Sequence, residues 1–176
     1  MIVLNLARSL IFELLRFALT VIFSIVALLT FPLSSIRRYQ IITLWSHCIT
    51  FLAKYICGIR YRVQGLENIP DNPCVILSKH QSAWETFAFQ TIFPPQVWVL
   101  KKSLLFVPFF GWGLAMMNPI AIDRSSGPRA LKQMLTQGKN RLKNGWYIIV
   151  FPEGTRIAPG QRGKYQIGGA WLSARL

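Results

Sequence analysis

The apolar positions of this chain form two long blocks near the amino terminus and several short runs after residue 60. No charged residue occurs from 17 to 36, and this stretch of twenty residues is long enough for a helix that crosses a bilayer. A second apolar block runs from 39 to 59, interrupted by His47, Lys54 and a few small polar residues. Two arginines directly follow the first block, which is typical of the cytoplasmic side of a membrane span.

The two blocks allow a span followed by an interfacial helix, a shallow hairpin in one leaflet, or a buried pair of core helices. Basic residues lie at both ends of the pair, and we therefore favour the hairpin; they are Arg8, Arg16, Lys54, Arg60 and Arg62. A signal peptide is disfavoured because no small-residue cleavage site follows the first block. We predict a membrane-associated helical segment over 1–58 and a second domain over 59–176.

The short apolar runs predict strands that alternate with helices. Strands are expected at 60–64, 74–78, 96–100, 120–122 and 146–150. Helices are expected before Pro94, before Asn118, from Pro128 to Gly145, and from 170 onwards. This alternation predicts an α/β fold with a mixed, mainly parallel sheet flanked by helices.

The composition restricts the kinds of molecule that the chain is expected to bind. The 20 Lys and Arg residues against 6 Asp and Glu give a net charge of +14, which attracts phosphate groups. The 52% hydrophobic content favours an anionic membrane surface over nucleic acid, since the basic residues are spread along the chain. The three cysteines show neither disulfide nor metal-ligand spacing, so we expect a reducing compartment and no metal.

The first chemically informative stretch is 79–85, which reads KHQSAWE and follows a strand-like run. His80 and Glu85 are five positions apart, so a regular helix would place them roughly 140° apart around its axis. They meet only if His80 lies in the turn before a helix and Glu85 points back from the first turn. The pair is then a dyad in which the carboxylate orients an imidazole base. Otherwise His80 caps the helix and Glu85 is a residue favoured by the helix dipole.

The second stretch is 151–156, which reads FPEGTR and follows the strand-like run 146–150. An arginine in a turn at a strand end can bind a phosphate through two parallel hydrogen bonds. Charged turns at strand ends are also ordinary surface features, so this stretch alone does not separate the two interpretations.

In this order the two stretches resemble the glycerolipid acyltransferases, and most closely the bacterial 1-acyl-glycerol-3-phosphate acyltransferases. The segments 101–104 (KKSL) and 108–112 (PFFGW) are similar to the family's connecting segment, and 118–124 (NPIAIDR) to its second motif. The resemblance spans about 60–172. Position 85 holds Glu where the family more often has Asp. The family usually continues with a further strand and more helix, so the acyltransferase domain is expected to be C-terminally incomplete.

The resemblance implies transfer of an acyl group from an acyl-thioester to the sn-2 hydroxyl of lysophosphatidic acid, giving phosphatidic acid. His80 would be the base and Glu85 its orienting acid, with backbone amides near the start of the His80 helix as oxyanion donors. Transfer would be direct, because the chain has no GxSxG motif and Cys74 has no evident base. The implied substrate-binding residues are Lys101, Arg124, Glu153, Gly154, Thr155 and Arg156.

The resemblance also implies no permanently bound cofactor and an acyl donor on coenzyme A or acyl carrier protein. It places the protein at the bacterial inner membrane, with the catalytic domain on the cytoplasmic side. Acylation of another lysolipid, hydrolysis, and an inactive membrane-binding relative remain as alternatives. Large apolar groups at 106–117 predict either an acyl-chain tunnel or ordinary packing; they are Phe106, Phe109, Phe110, Trp112, Met116 and Met117.

Overall fold

A four-stranded sheet flanked by helices forms the centre of the molecule. The computed structural model describes residues 2–176, apart from the side chain of Arg124. The helices are α1 (Ile2–Leu29), α2 (Ser35–Ile56), α3 (Trp84–Ile92), α4 (Phe110–Met116), α5 (Pro128–Lys143) and α6 (Ile167–Ser173). The strands are β1 (Val75–Leu77), β2 (Gln96–Lys101), β3 (Ile120–Ile122) and β4 (Tyr147–Val150). Short 3-10 turns lie at Leu66–Asn68, Lys102–Phe106 and Arg124–Ser126.

All neighbouring strands in the sheet are parallel, in the order β1-β4-β2-β3. Ile148 of β4 lies opposite Val75 on one side and Val97 on the other. The predicted α/β fold with a mainly parallel sheet is confirmed. The strand predicted at 60–64 is wrong, because this segment has no strand pairing and Tyr61 packs edge-on against Trp84 at the start of α3.

The sheet is buried on both faces, which explains why β4 is an unbroken apolar run. On one face Ile148 packs with Met134 of α5 and Leu172 of α6. On the other face Ile149 packs with Trp98, and Phe89 of α3 lies against them. The two helical layers therefore hold the carboxyl ends of the strands in fixed positions.

The amino-terminal helices differ from the expected boundaries. The apolar stretch 17–36 is helical only as far as Leu29, since α1 runs from Ile2 to Leu29 and a turn at 30–34 separates it from α2. Pro32 lies in that turn and has no amide N–H to continue a helix. Within residues 2–176, α1 is the one helix long and apolar enough to cross a membrane, and 11% of its most apolar window is buried.

Both amino-terminal helices pack against the rest of the chain. α1 contacts α4, and Ser24 donates a hydrogen bond to the carbonyl of Phe109 across that contact. α2 contacts α3, and a buried stripe including Ile42, Ile49 and Ala53 faces the domain. The division of the chain at residue 58 stays a prediction.

Candidate active site

The stretches 79–85 and 151–156 lie at the same edge of the sheet because the strands are parallel. His80 follows β1, the stretch 153–156 follows β4, and Lys101 ends β2. β4 lies between β1 and β2, so the three carboxyl ends are neighbours. Crevices outside the carboxyl ends of strands are the usual ligand sites of open α/β sheets.

His80 is held by the segment 151–157, which comes from the neighbouring strand. Its ring stacks on Phe151 with the centroids 3.9 Å apart and the planes within 8°. Its amide N–H donates to Oε2 of Glu153 at 3.0 Å, and its carbonyl accepts from the amide of Ile157 at 2.8 Å. The ring, the amide N–H and the carbonyl of His80 are therefore each held by a different group.

Glu85 binds the backbone of the turn that precedes α3. Its carboxylate accepts from the amide of Gln81 at 3.0 Å, from the amide of Ser82 at 3.0 Å, and from the Ser82 hydroxyl at 3.0 Å. Its Oε2 lies 3.8 Å from Nδ1 of His80, which is close enough for an ion pair but too far for a hydrogen bond. The Glu85 carboxylate therefore stabilises the helix start and faces the imidazole at the same time.

These contacts determine which backbone amides near His80 are free to act as oxyanion donors. The amides of His80, Gln81 and Ser82 precede α3, and all three are bound to carboxylates. An amide that donates to a carboxylate is not available to a developing oxyanion. The expectation that amides near this helix start stabilise the oxyanion therefore stays a prediction for the other amides of the turn.

The environment of His80 lowers its pKa and so favours the neutral imidazole. Burial lowers the pKa of His80 below its usual value, and the Arg156 guanidinium lowers it further. The carboxylates of Glu85 and Glu153 act in the opposite direction and raise that pKa. Burial is the largest effect, so the net shift of the pKa favours the neutral ring that a general base requires.

A cavity of about 540 Å³ opens at this edge of the sheet. His80, Lys101, Gly154, Thr155 and Arg156 line it together. The remaining wall is mostly apolar and includes Phe23, Ile42, Trp45, Trp98, Leu100, Leu104, Phe110, Leu114 and Met117. An imidazole and a guanidinium thus lie on the wall of one apolar cavity.

Three predicted site residues are not on this wall or are not described. Glu85 and Glu153 do not line the cavity; Glu85 lies 3.8 Å from Nδ1 of His80, and Glu153 is 5% exposed. The side chain of Arg124 is outside the described part of the chain. Of the large apolar groups expected at 106–117, Phe110 and Met117 line the cavity, and the other four do not.

Some contributors were not identifiable from local sequence. Phe151 lies inside the second motif, but its stacking on His80 depends on the pairing of β1 with β4. Thr20, Phe23 and Ser24 of α1 also line the cavity. Their signal in the sequence is Thr20 and Ser24, two hydroxyl residues in the otherwise apolar part of α1 from 17 to 29. Within residues 2–176, no group of three or more His, Cys, Asp or Glu side chains is placed to hold a metal ion.

Comparison with known proteins agrees with this geometry. The acyltransferase family model matches residues 60–172. A 1-acyl-sn-glycerol-3-phosphate acyltransferase of Pseudomonas aeruginosa is 48% identical over 168 residues, which cover 94% of this chain and 65% of that protein. A protein of the same name from Saccharomyces cerevisiae is 37% identical over 112 residues, which cover 63% of this chain and 37% of that protein. The chain therefore spans less than two thirds of the length of these relatives.

The fold is also that of a solved structure. The crystal structure of the 1-acyl-sn-glycerophosphate acyltransferase PlsC from Thermotoga maritima matches with a TM-score of 0.73 at 23% identity. The match covers 96% of this chain and 68% of that one. Because the family model covers more than half of the chain and includes both motifs that meet at the cavity, the chain belongs to the acyltransferase family.

Proposed function

We propose that this chain transfers an acyl group from an acyl-thioester to the sn-2 hydroxyl of lysophosphatidic acid and so forms phosphatidic acid. The observation that supports this most is the placement of His80 and Arg156 on the wall of one cavity. A neutral base and a fixed cation beside an apolar volume suit an acceptor that carries a hydroxyl, a phosphate and an acyl chain.

The acyl group passes directly from the sulfur of the thioester to the oxygen of the acceptor hydroxyl. The neutral imidazole of His80 takes the proton of the acceptor hydroxyl as that oxygen attacks the thioester carbonyl. The tetrahedral intermediate collapses, the carbon–sulfur bond breaks, and the imidazolium returns its proton to the leaving thiolate. Glu85, with Oε2 at 3.8 Å from Nδ1, stabilises the imidazolium during these steps.

The acceptor phosphate binds to the cationic side chains that line the cavity. Arg156 is the first candidate because its guanidinium suits two parallel hydrogen bonds to a phosphate. Lys101 lies on the same wall, as do Gly154 and Thr155 beside Arg156. Arg124 remains a predicted second contact from the family motif. The apolar wall that continues into α1, α2 and α4 accommodates acyl chains.

We further infer that the protein works at an anionic membrane surface. α1 exposes large apolar residues along its length, with Leu6, Leu10 and Leu14 each at least 60% exposed. The net charge of +14 favours anionic lipid. We propose that this surface is the bacterial inner membrane, with the domain on the cytoplasmic side and an acyl donor on coenzyme A or acyl carrier protein.

The test is an acyl-transfer assay with labelled donor and separate lysolipid acceptors. Purified protein in lipid vesicles is given lysophosphatidic acid, lysophosphatidylethanolamine or lysophosphatidylcholine. We expect labelled phosphatidic acid and little product from the other two, because only the first presents a terminal phosphate to Arg156. Consumption of another lysolipid without phosphatidic acid would reject the acceptor, and release of free fatty acid alone would indicate a hydrolase.

A further inference from the structure

We propose that Glu153 is a positioning residue for His80 rather than a ligand of the acceptor. This rests on the proposed function, in which His80 is the base. Glu153 is 5% exposed and does not line the cavity, whereas the three residues that follow it do. Its Oε2 instead accepts the amide N–H of His80 at 3.0 Å.

The contact joins two strand ends that carry the chemistry. Glu153 follows β4 and His80 follows β1, and these strands are paired in the sheet. The carbonyl of His80 accepts from the amide of Ile157, four residues after Glu153. The amide N–H and the carbonyl of His80 are therefore both bound by the segment 153–157. These two hydrogen bonds constrain the direction of the imidazole.

Packing around Glu153 fits a fixed carboxylate rather than a mobile ligand group. A Cβ added at Gly163 would come within 3.1 Å of Cγ of Glu153, so the following loop covers the side chain closely. A buried carboxylate is stable only when it accepts hydrogen bonds. The amide of His80 supplies one such hydrogen bond. The same hydrogen bond stabilises the buried carboxylate and holds the main chain of His80.

The position of Glu153 also supplements Glu85. The two carboxylates occupy all three successive amides at 80–82, and each lies near a ring that becomes positively charged during proton transfer. Glu85 is too far from Nδ1 for a hydrogen bond, so the direction of the imidazole depends on its stacking on Phe151 and on the main-chain contact with Glu153. An error of about 1 Å in the position of a catalytic group can reduce the rate about 100-fold.

The test compares Glu153→Gln and Glu153→Ala with wild type in the phosphatidic acid assay. A positioning residue changes kcat and leaves KM for lysophosphatidic acid unchanged. We expect Glu153→Ala to lose about 100-fold in kcat. Glu153→Gln keeps an acceptor oxygen for the His80 amide, so it should lose less, roughly tenfold, because hydrogen bonds to charged groups are about twice as strong as neutral ones.

A second readout separates this role from a merely structural one. The ionised groups that face His80 are Glu85, Glu153 and Arg156, and Glu153 raises the pKa of His80. Glu153→Gln removes that effect, so the imidazole stays neutral to lower pH and the acidic limb of kcat/KM shifts to lower pH. The control is Glu67→Gln, which removes the same charge at an exposed turn and should leave the profile in place.

Three outcomes would overturn the proposal. A raised KM with unchanged kcat would make Glu153 an acceptor ligand. A fall in kcat with no shift of the acidic limb would mean a structural role only, and unchanged kinetics would mean no role. If Glu153→Ala fails to fold, Glu153→Gln decides the matter alone. Failure of the proposed function is recognised separately, because His80→Ala would then retain activity or wild type would make no phosphatidic acid.

Discussion

At the residue scale, charges of both signs act on the imidazole of His80. Two carboxylates raise its pKa, while burial and the guanidinium of Arg156 lower it. The guanidinium shares the cavity wall with the ring, and the carboxylates lie outside that wall. A substrate that enters the cavity therefore contacts both the imidazole of His80 and the guanidinium of Arg156.

Arg156→Ala tests the cation. Loss of a hydrogen bond to a charged group costs about 1.5–3 kcal/mol, so KM for lysophosphatidic acid should rise roughly 10- to 100-fold. Arg156→Lys should be only partly active, since an ammonium cannot form the parallel pair of hydrogen bonds. The matched control is Arg129→Ala on α5, an exposed arginine outside the cavity. An unchanged KM for Arg156→Ala would place the phosphate elsewhere.

Glu85→Gln tests the orienting acid through pH dependence. The Glu85 carboxylate raises the pKa of His80, so a neutral amide lowers that pKa and keeps the imidazole unprotonated to lower pH. We expect a lower plateau of kcat/KM and an acidic limb that moves to lower pH. The profile is measured against wild type at constant ionic strength. An acidic limb that moves to higher pH would contradict the placement of this carboxylate beside the ring.

The sequence predicted which residues lie close together, but it did not predict the hydrogen bonds that hold them. The motifs placed His80, Arg156 and Lys101 at strand ends, and parallel strands bring such ends together. The binding of Glu85 to the amides at 81–82, and of Glu153 to the amide of His80, depends on side-chain conformations that no pattern encodes. The contribution of α1 to the cavity depends on contacts across more than eighty residues, such as Ser24 with Phe109.

At the element scale, the start of α4 fixes one side of the cavity. Gly111 is buried, and a Cβ at this position would lie 2.3 Å from the carbonyl oxygen of Leu105 in the preceding turn. No side chain fits there without moving the backbone. Leu104 of the same turn and Phe110 of the helix line the cavity, so this close approach shapes the site.

Gly111→Ala should therefore destabilise the protein, and overpacking of this kind typically costs about 1–3 kcal/mol. Gly113→Ala is the matched control in the same helix, because its added Cβ would meet Oγ of Ser24 at 3.5 Å, an ordinary contact. Thermal unfolding in one detergent compares the two variants. Equal unfolding temperatures would contradict the close approach of α4 to the 102–106 turn.

At the scale of the whole molecule, the apolar outer face of α1 predicts attachment to lipid. We expect Leu6→Gln, Leu10→Gln and Leu14→Gln in one chain to release the protein from anionic vesicles, since each buried leucine contributes roughly 1.5–3 kcal/mol. Co-sedimentation with vesicles measures the bound fraction. The control replaces exposed apolar residues elsewhere, at Leu66, Tyr165 and Ile167. Retention of the α1 variant on vesicles would show that another surface holds the lipid.

The central claim is that the imidazole of His80 removes the proton from the acceptor hydroxyl. The most direct measurement is the rate of phosphatidic acid formation by wild type and by His80→Ala in the same vesicles, with equal protein bound to lipid. General-base catalysis contributes about 10²–10⁴-fold, and we predict a loss of that size in kcat. A loss of less than about tenfold would contradict the account.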